Sequence, residues 1–196
     1  MAMANTIIEG LRERISTAAK INQSVGIIVP GNNYSELLEA IFDQMFSTND
    51  IWTYVTVTKP FDSIIKTFPN LSDHRNIRFI DCISRAAGIS KLYPECIYIE
   101  SPTMLEKISM EIINIFHDAN VEENINKYLV IDSLSALMIY NDPETVTEFF
   151  YHLINKTRTE NIHSISLVVE EEETNKYLNK IIFLNDKILR VRDSFI

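Results

Sequence analysis

Short, uninterrupted apolar runs alternate along this chain with amphipathic stretches, and that alternation limits the folds open to it. Residues 127–131 read KYLVI and residues 25–30 read VGIIVP. Runs this short and continuous suit strands buried on both faces of a sheet. Between them, apolar residues recur at helical spacing: Leu37, Leu38, Ile41, Phe42, Met45 and Phe46 form one stripe over residues 35–46. Met104, Leu105, Ile108, Ile112, Ile115 and Phe116 form another. Each stripe defines a helix with one buried side. Strands separated by such helices predict a mostly parallel sheet covered on both faces.

The remaining elements follow from the same signals. A ThrxxGlu capping box, Thr6 with Glu9, precedes Ile7, Ile8, Leu11 and Ile15 and predicts an amphipathic helix over residues 6–19, within an N-terminal segment 1–20. Strands are expected at 51–58, 76–81, 96–100 and 164–169, with a short helix at 61–68. Ser101 and Pro102 read as the N-cap and first-turn proline of the helix carrying Met104. Asp142 and Pro143 open another, with Val146, Phe149, Phe150, Leu153 and Ile154 on one side. The apolar pieces 181–184 and 188–191 flank Asn185 and Asp186, a turn pair that predicts a closing antiparallel β-hairpin. With four glycines, six prolines and no repeat, nothing marks a linker, so 1–196 reads as one domain.

Composition narrows the function classes. A 196-residue chain, 46% hydrophobic, buries roughly 70% of its unfolded surface and needs no disulfide or metal staple. Its charge of 18 − 27 = −9 and pI near 4.9 repel phosphate backbones and anionic lipid surfaces. Direct nucleic-acid and membrane contact are therefore not expected. Cys82 and Cys96 form no CxxC or Cys/His spacing and read as reduced core residues of a cytoplasmic protein. The start carries Glu9, Arg12, Glu13 and Arg14 where a signal peptide would need an apolar run. His74, His117, His152 and His163 have no metal-ligand spacing, and no GxSxG elbow occurs. No metal site and no catalytic residue are assigned.

In open α/β sheets ligands sit beyond the carboxyl ends of the strands, so the loop after the first strand is the candidate site. It reads IVPGNNYS. Against the phosphate-loop pattern GxxxxGK[ST], Ile28 and Asn33 replace the two glycines and Tyr34 the lysine, while Ser35 keeps the hydroxyl. That chemistry needs bare backbone to turn amides toward the β-phosphate and an ammonium to neutralise β and γ oxygens. Ser35 and the positive amino end of its helix leave weak ATP and magnesium binding open. Gly31, Asn32, Asn33, Tyr34, Ser35 and Asp132 are the candidate cofactor-binding residues, and Asp132 has a structural alternative: capping backbone amides around Ser133 and Ser135.

The element order together with IVPGNNYSELLEAIF, WTYVTVTKPFDSII and KYLVIDSLSALMIYND resembles the RecA/KaiC-like P-loop ATPases over residues 25–191. The resemblance implies a RecA-like three-layer sandwich and places Asp132 where those proteins carry the Walker B aspartate. It also implies a water-activating glutamate after the second strand, where this chain has Thr58 and Lys59. The chain therefore resembles a degenerate member of the group, without the lysine, the glycines and the base. Groups of that kind are each worth about 3–4 kcal/mol in a transition state, so losing cation and base together lowers the rate by about 10⁴ or more. An archaeal source fits the resemblance and the isoleucine- and asparagine-rich, glycine-poor composition.

These readings lead to a non-hydrolysing RecA/KaiC-like domain, a pseudo-ATPase, acting as a regulatory or scaffolding module for protein partners or further copies of itself. Two alternatives stand beside it: a nucleotide-binding ATP hydrolase that draws its positive charge from Lys59 or from a neighbouring subunit's arginine, and an accessory subunit of a DNA recombination or repair complex. The run Glu170–Glu173 offers a docking surface for a basic partner or a solvated first turn. Lys187, Arg190 and Arg192 read as protection of an edge strand. The N-terminal helix is expected to pack on its own domain.

Overall fold

The computed structural model describes residues 2–118, 125–170 and 176–191. Its strands are β1 Ser24–Pro30, β2 Ile51–Thr56, β3 Ile77–Asp81, β4 Cys96–Tyr98, β5 Lys127–Asp132, β6 Ile162–Glu170 and β7 Lys187–Arg190. Its helices are α1 Ala2–Ile21, α2 Tyr34–Phe46, α3 Phe61–Thr67, α4 Leu105–Asp118, α5 Leu134–Tyr140, α6 Pro143–Thr159 and α7 Lys176–Phe183. The seven strands form one sheet in the order β4-β3-β2-β5-β6-β1-β7, and every adjacent pair is parallel.

Handedness decides which face each helix covers. From β1 the chain steps toward the β4 edge, with α2 and α3 packed beside α1 in a core that includes Leu11, Phe42, Trp52, Tyr54, Phe61 and Phe79. From β4 it returns through β5, β6 and β7 toward the other edge. The helices of this return, α4 to α7, build the opposite core around Ile80, Ile112, Leu129, Leu137, Phe150 and Ile181. Right-handed crossovers require the connecting helices to change face when the direction of travel reverses. The result is the expected three-layer α/β sandwich with helices on both faces.

Adjacent strands followed by helices on opposite faces open a crevice at their carboxyl ends. Two such places exist. Strand β1 leads to α2 while its neighbour β6 leads to α7; β2 leads to α3 while its neighbour β5 leads to α5.

Several local expectations are corrected. The chain does not close with an antiparallel hairpin: residues 181–183 lie in α7, and β7 pairs parallel with β1, Val25 opposite Lys187. Asn185 and Asp186 end a helix rather than turn a hairpin, because Asn185 Nδ2 donates to the carbonyls of Ile181 and Ile182. Gly26 permits this approach, since a Cβ there would lie 2.9 Å from Asn185 Nδ2. Helix α1 begins at Ala2, so Thr6 and Glu9 lie within it rather than at its start. Helix α4 begins at Leu105, not at Pro102; Ser101 instead closes a turn, accepting from the amides of Thr103 and Met104. Helix α5 was not anticipated, because its residues LSALMIY follow an aspartate–serine pair that reads as loop. Asp142 caps α6 as expected, accepting from the amides of Glu144 and Thr145.

Strand β7 is an edge, and Lys187 and Arg190 are exposed on it; Arg192 lies outside the described residues. Of the acidic run, Glu170 ends β6 and pairs with Arg190 at 3.5 Å, while residues 171–173 also lie outside the description. No helix among the described residues is long and apolar enough to cross a membrane.

Candidate functional site

The site forms where the loop after β1, the end of β2 and the end of β5 meet. Pro30 leads into a 3-10 turn, Gly31–Asn33, and then into α2, whose first residue is Tyr34. Period-two alternation puts Trp52, Tyr54 and Thr56 of β2 on one face of the sheet, together with Val130 and Asp132 of β5. Thr56 is level with Asp132 in the parallel register.

Asp132 is 1% exposed, and its carboxylate is enclosed by hydroxyls from three segments. Tyr34 donates to Oδ1 at 2.5 Å. Tyr54 and Thr58 donate to Oδ2 at 2.6 and 2.9 Å, and the Tyr34 and Thr58 hydroxyls are 3.0 Å apart. Burial raises the Asp132 pKa above the ordinary carboxylate range, while the Tyr34, Tyr54 and Thr58 hydroxyls and the nearby Lys59 charge oppose that rise. Burial and the neighbouring carboxylate raise both tyrosine pKa values, so both phenols keep their protons. Tyr54 is further fixed by its ring, which stacks on Phe42 at 5.1 Å.

The alternative reading of Asp132 as a cap on the amides near Ser133 and Ser135 is replaced by this arrangement. Ser133 caps α5 itself, accepting from the Ala136 amide at 3.1 Å, and Ser135 accepts from the Val169 amide at 3.0 Å. The other candidates are distributed unevenly. Tyr34 reaches Asp132, but Gly31, Asn32 and Ser35 are exposed at the surface of the turn and the first helical turn. Asn33 Oδ1 and Glu36 Oε2 are buried there without a hydrogen-bond partner among the described residues. The first turn of α2 thus carries a carboxylate, Glu36, at the helix end a phosphate would approach. Lys59, which is exposed, holds its ammonium 5.6 Å from the centre of the Tyr34 ring.

Tyr54 was not singled out from the sequence, and Thr58 only as a residue standing in place of the glutamate, although alternation through YVTVT already sets Tyr54, Thr56 and Thr58 at period two. A second buried acid, Asp81, was also missed. At the end of β3 it accepts from the Phe61, Ile83 and Ser84 amides at 2.7–2.8 Å and from the Ser84 hydroxyl at 2.6 Å. Its group ties α3 to β3 and leaves no role for it at the crevice. Among the described residues no group of three His, Cys, Asp or Glu could hold a metal ion.

No family model and no curated protein matches this sequence. Solved structures do match its fold. An uncharacterized protein from Pyrococcus horikoshii, in complex with an unknown peptide, superposes with a TM-score of 0.66 at 17% identity, covering 89% of this chain and 80% of that one. A KaiC-like protein from the hyperthermophilic archaeon Pyrococcus horikoshii OT3 gives 0.61 at 12% identity, covering 89% and 74%. The fold is RecA/KaiC-like, as the sequence resemblance implied.

Proposed function

We propose that this chain is a RecA/KaiC-like domain that does not turn over nucleotide and works as a regulatory or scaffolding module for other proteins. The observation that carries this reading is the Tyr34 phenol on Asp132. At the position the resemblance gives to a phosphate-binding lysine stands an uncharged ring whose hydroxyl occupies the carboxylate that would serve magnesium. Tyr54 and Thr58 fill the rest of that carboxylate, and Glu36 sets negative charge at the helix end a triphosphate would approach. These residues do not fit a bound magnesium nucleotide. A neighbour of the same fold holds a peptide, which supports protein recognition as a use of this scaffold.

The second reading, nucleotide binding with a borrowed charge, has Lys59 in its favour, because its ammonium already lies over Tyr34. Thermal denaturation with and without excess magnesium ATP separates the two. A ligand at 100 times its dissociation constant adds about 2.7 kcal/mol, which is several degrees for a domain of this size. The expected result is an unchanged midpoint; a rise of that size assigns the site to nucleotide. An accessory role in a DNA-bound complex, the third reading, would have to run through protein contacts, given the charge of −9.

A further inference from the structure

We propose that the groove between α4 and α6 docks a basic, amphipathic segment of a partner protein. This inference rests on the protein-binding reading above and names its surface and partner chemistry. The two helices run side by side on the face opposite α2, far from Tyr34 in the layer order, and leave a groove of about 590 Å³ between them. That lies in the range of roughly 300–1,000 Å³ typical of clefts that hold a ligand. Its walls are stripes at helical spacing. Leu105, Met110 and Ile113 of α4 face Phe149 of α6, and Met110 is 53% exposed. A flexible thioether left in water on a groove wall adapts to varied apolar side chains.

Charge selects the occupant. Glu106 and Glu148 line the groove from its two sides and make no ion pair among the described residues. The groove's lysine is already committed: Lys156 binds Glu160 at 2.7 Å, and Glu160 also meets His117 at 3.3 Å, which ties the carboxyl ends of α4 and α6 together. The groove therefore offers apolar walls and two carboxylates that make no ion pair among the described residues, and the basic groups among its lining residues are the committed Lys156 and the imidazole of His152. A helix with apolar residues at i, i+3, i+4 and i+7 and lysine or arginine beside them complements both features. The overall charge of −9 steers such a segment toward the surface.

The test measures fluorescence anisotropy of the full chain with a short fluorescein-labelled leucine–lysine peptide of that helical spacing. A leucine–glutamate peptide of the same spacing serves as the charge control. Met110→Gln, which removes apolar contact without adding charge, and the double variant Glu106→Lys/Glu148→Lys are each expected to weaken binding about tenfold or more, and raised salt to weaken it in the parent chain. Glu9→Lys/Glu39→Lys makes the same charge change on α1 and α2, across the sheet, and is expected to bind like the parent. Equal loss in that control overturns the proposal, as does equal binding of the glutamate peptide or no binding of the lysine peptide at all. Sedimentation of the parent and Met110→Gln covers the remaining occupant: self-association abolished by the variant gives the groove to a second copy and overturns the partner proposal. The magnesium ATP measurement reads a different region, so failure here leaves the account of the Tyr34 site to stand or fall separately.

Discussion

Asp81 and Asp132 end the two strands that flank β2, both level with Thr56 and on the same face of the sheet, yet they are held in opposite ways. Asp81 is satisfied mainly by backbone, three amides within one loop and one helix start, plus the hydroxyl of Ser84. Asp132 is satisfied wholly by side chains, three hydroxyls from α2 and the end of β2. Backbone donors belong to any sequence that adopts the loop; side-chain hydroxyls belong to this one. A carboxylate bound by amides is a structural fastener, whereas one bound by hydroxyls at the sheet's crevice depends on the identity of each side chain around it.

The contrast can be broken experimentally. Asp81→Ala should be the most damaging change, because it strands buried amides at about 1–3 kcal/mol each; a total loss of about 3 kcal/mol or more is expected in denaturant unfolding. A loss under about 1 kcal/mol would show that water replaces the carboxylate and that Asp81 fastens nothing. Tyr54→Phe removes one fully buried donor from Asp132 without altering the ring stack, and a cost of about 1–3 kcal/mol should follow. Tyr34→Phe should cost about 1 kcal/mol or less, because the half-buried rim of the site admits a water in place of the hydroxyl. If Tyr34→Phe proves as costly as Tyr54→Phe, the crevice is sealed rather than merely occupied.

The smallest expected effect is a slope. Burial holds the Asp132 pKa above its unfolded value, so the folded state binds the extra proton between the two. This group's contribution to stability is full below the unfolded carboxyl value, about 3.9, and is lost as pH rises through the raised folded value. Unfolding of the parent and Asp132→Asn, compared from pH 4 upward, should show the parent losing stability with pH relative to the variant. The opposite sign would mean that the three hydroxyls outweigh burial and keep the carboxylate ionised.

Much of the fold was legible in the residues because burial imposes periodicity. KYLVI and VGIIVP had to be strands in the middle of a covered sheet, and the stripe from Leu37 to Phe46 had to be a helix; β5, β1 and α2 are those elements. The C-terminal segment was misread because Asn185–Asp186 suits a hairpin turn and a helix end equally well, and the choice rests on where residues 187–190 pair. They pair with β1, and Asp186 is held by Arg158 at 2.7 Å and by the Ser24 amide at 2.9 Å, partners 28 and 162 residues distant.

The sequence by itself determined the layers, the central strands and the tyrosine at position 34 in the loop that follows the first strand, since each depends on residue type and local period. Tertiary structure decided where that tyrosine's hydroxyl goes, which donors surround Asp132, and which helices leave a groove between them. Those contacts join residues 24 to 98 positions apart for the Asp132 cluster. Long-range neighbours of that kind follow from strand order and crossover hand, which no local pattern encodes.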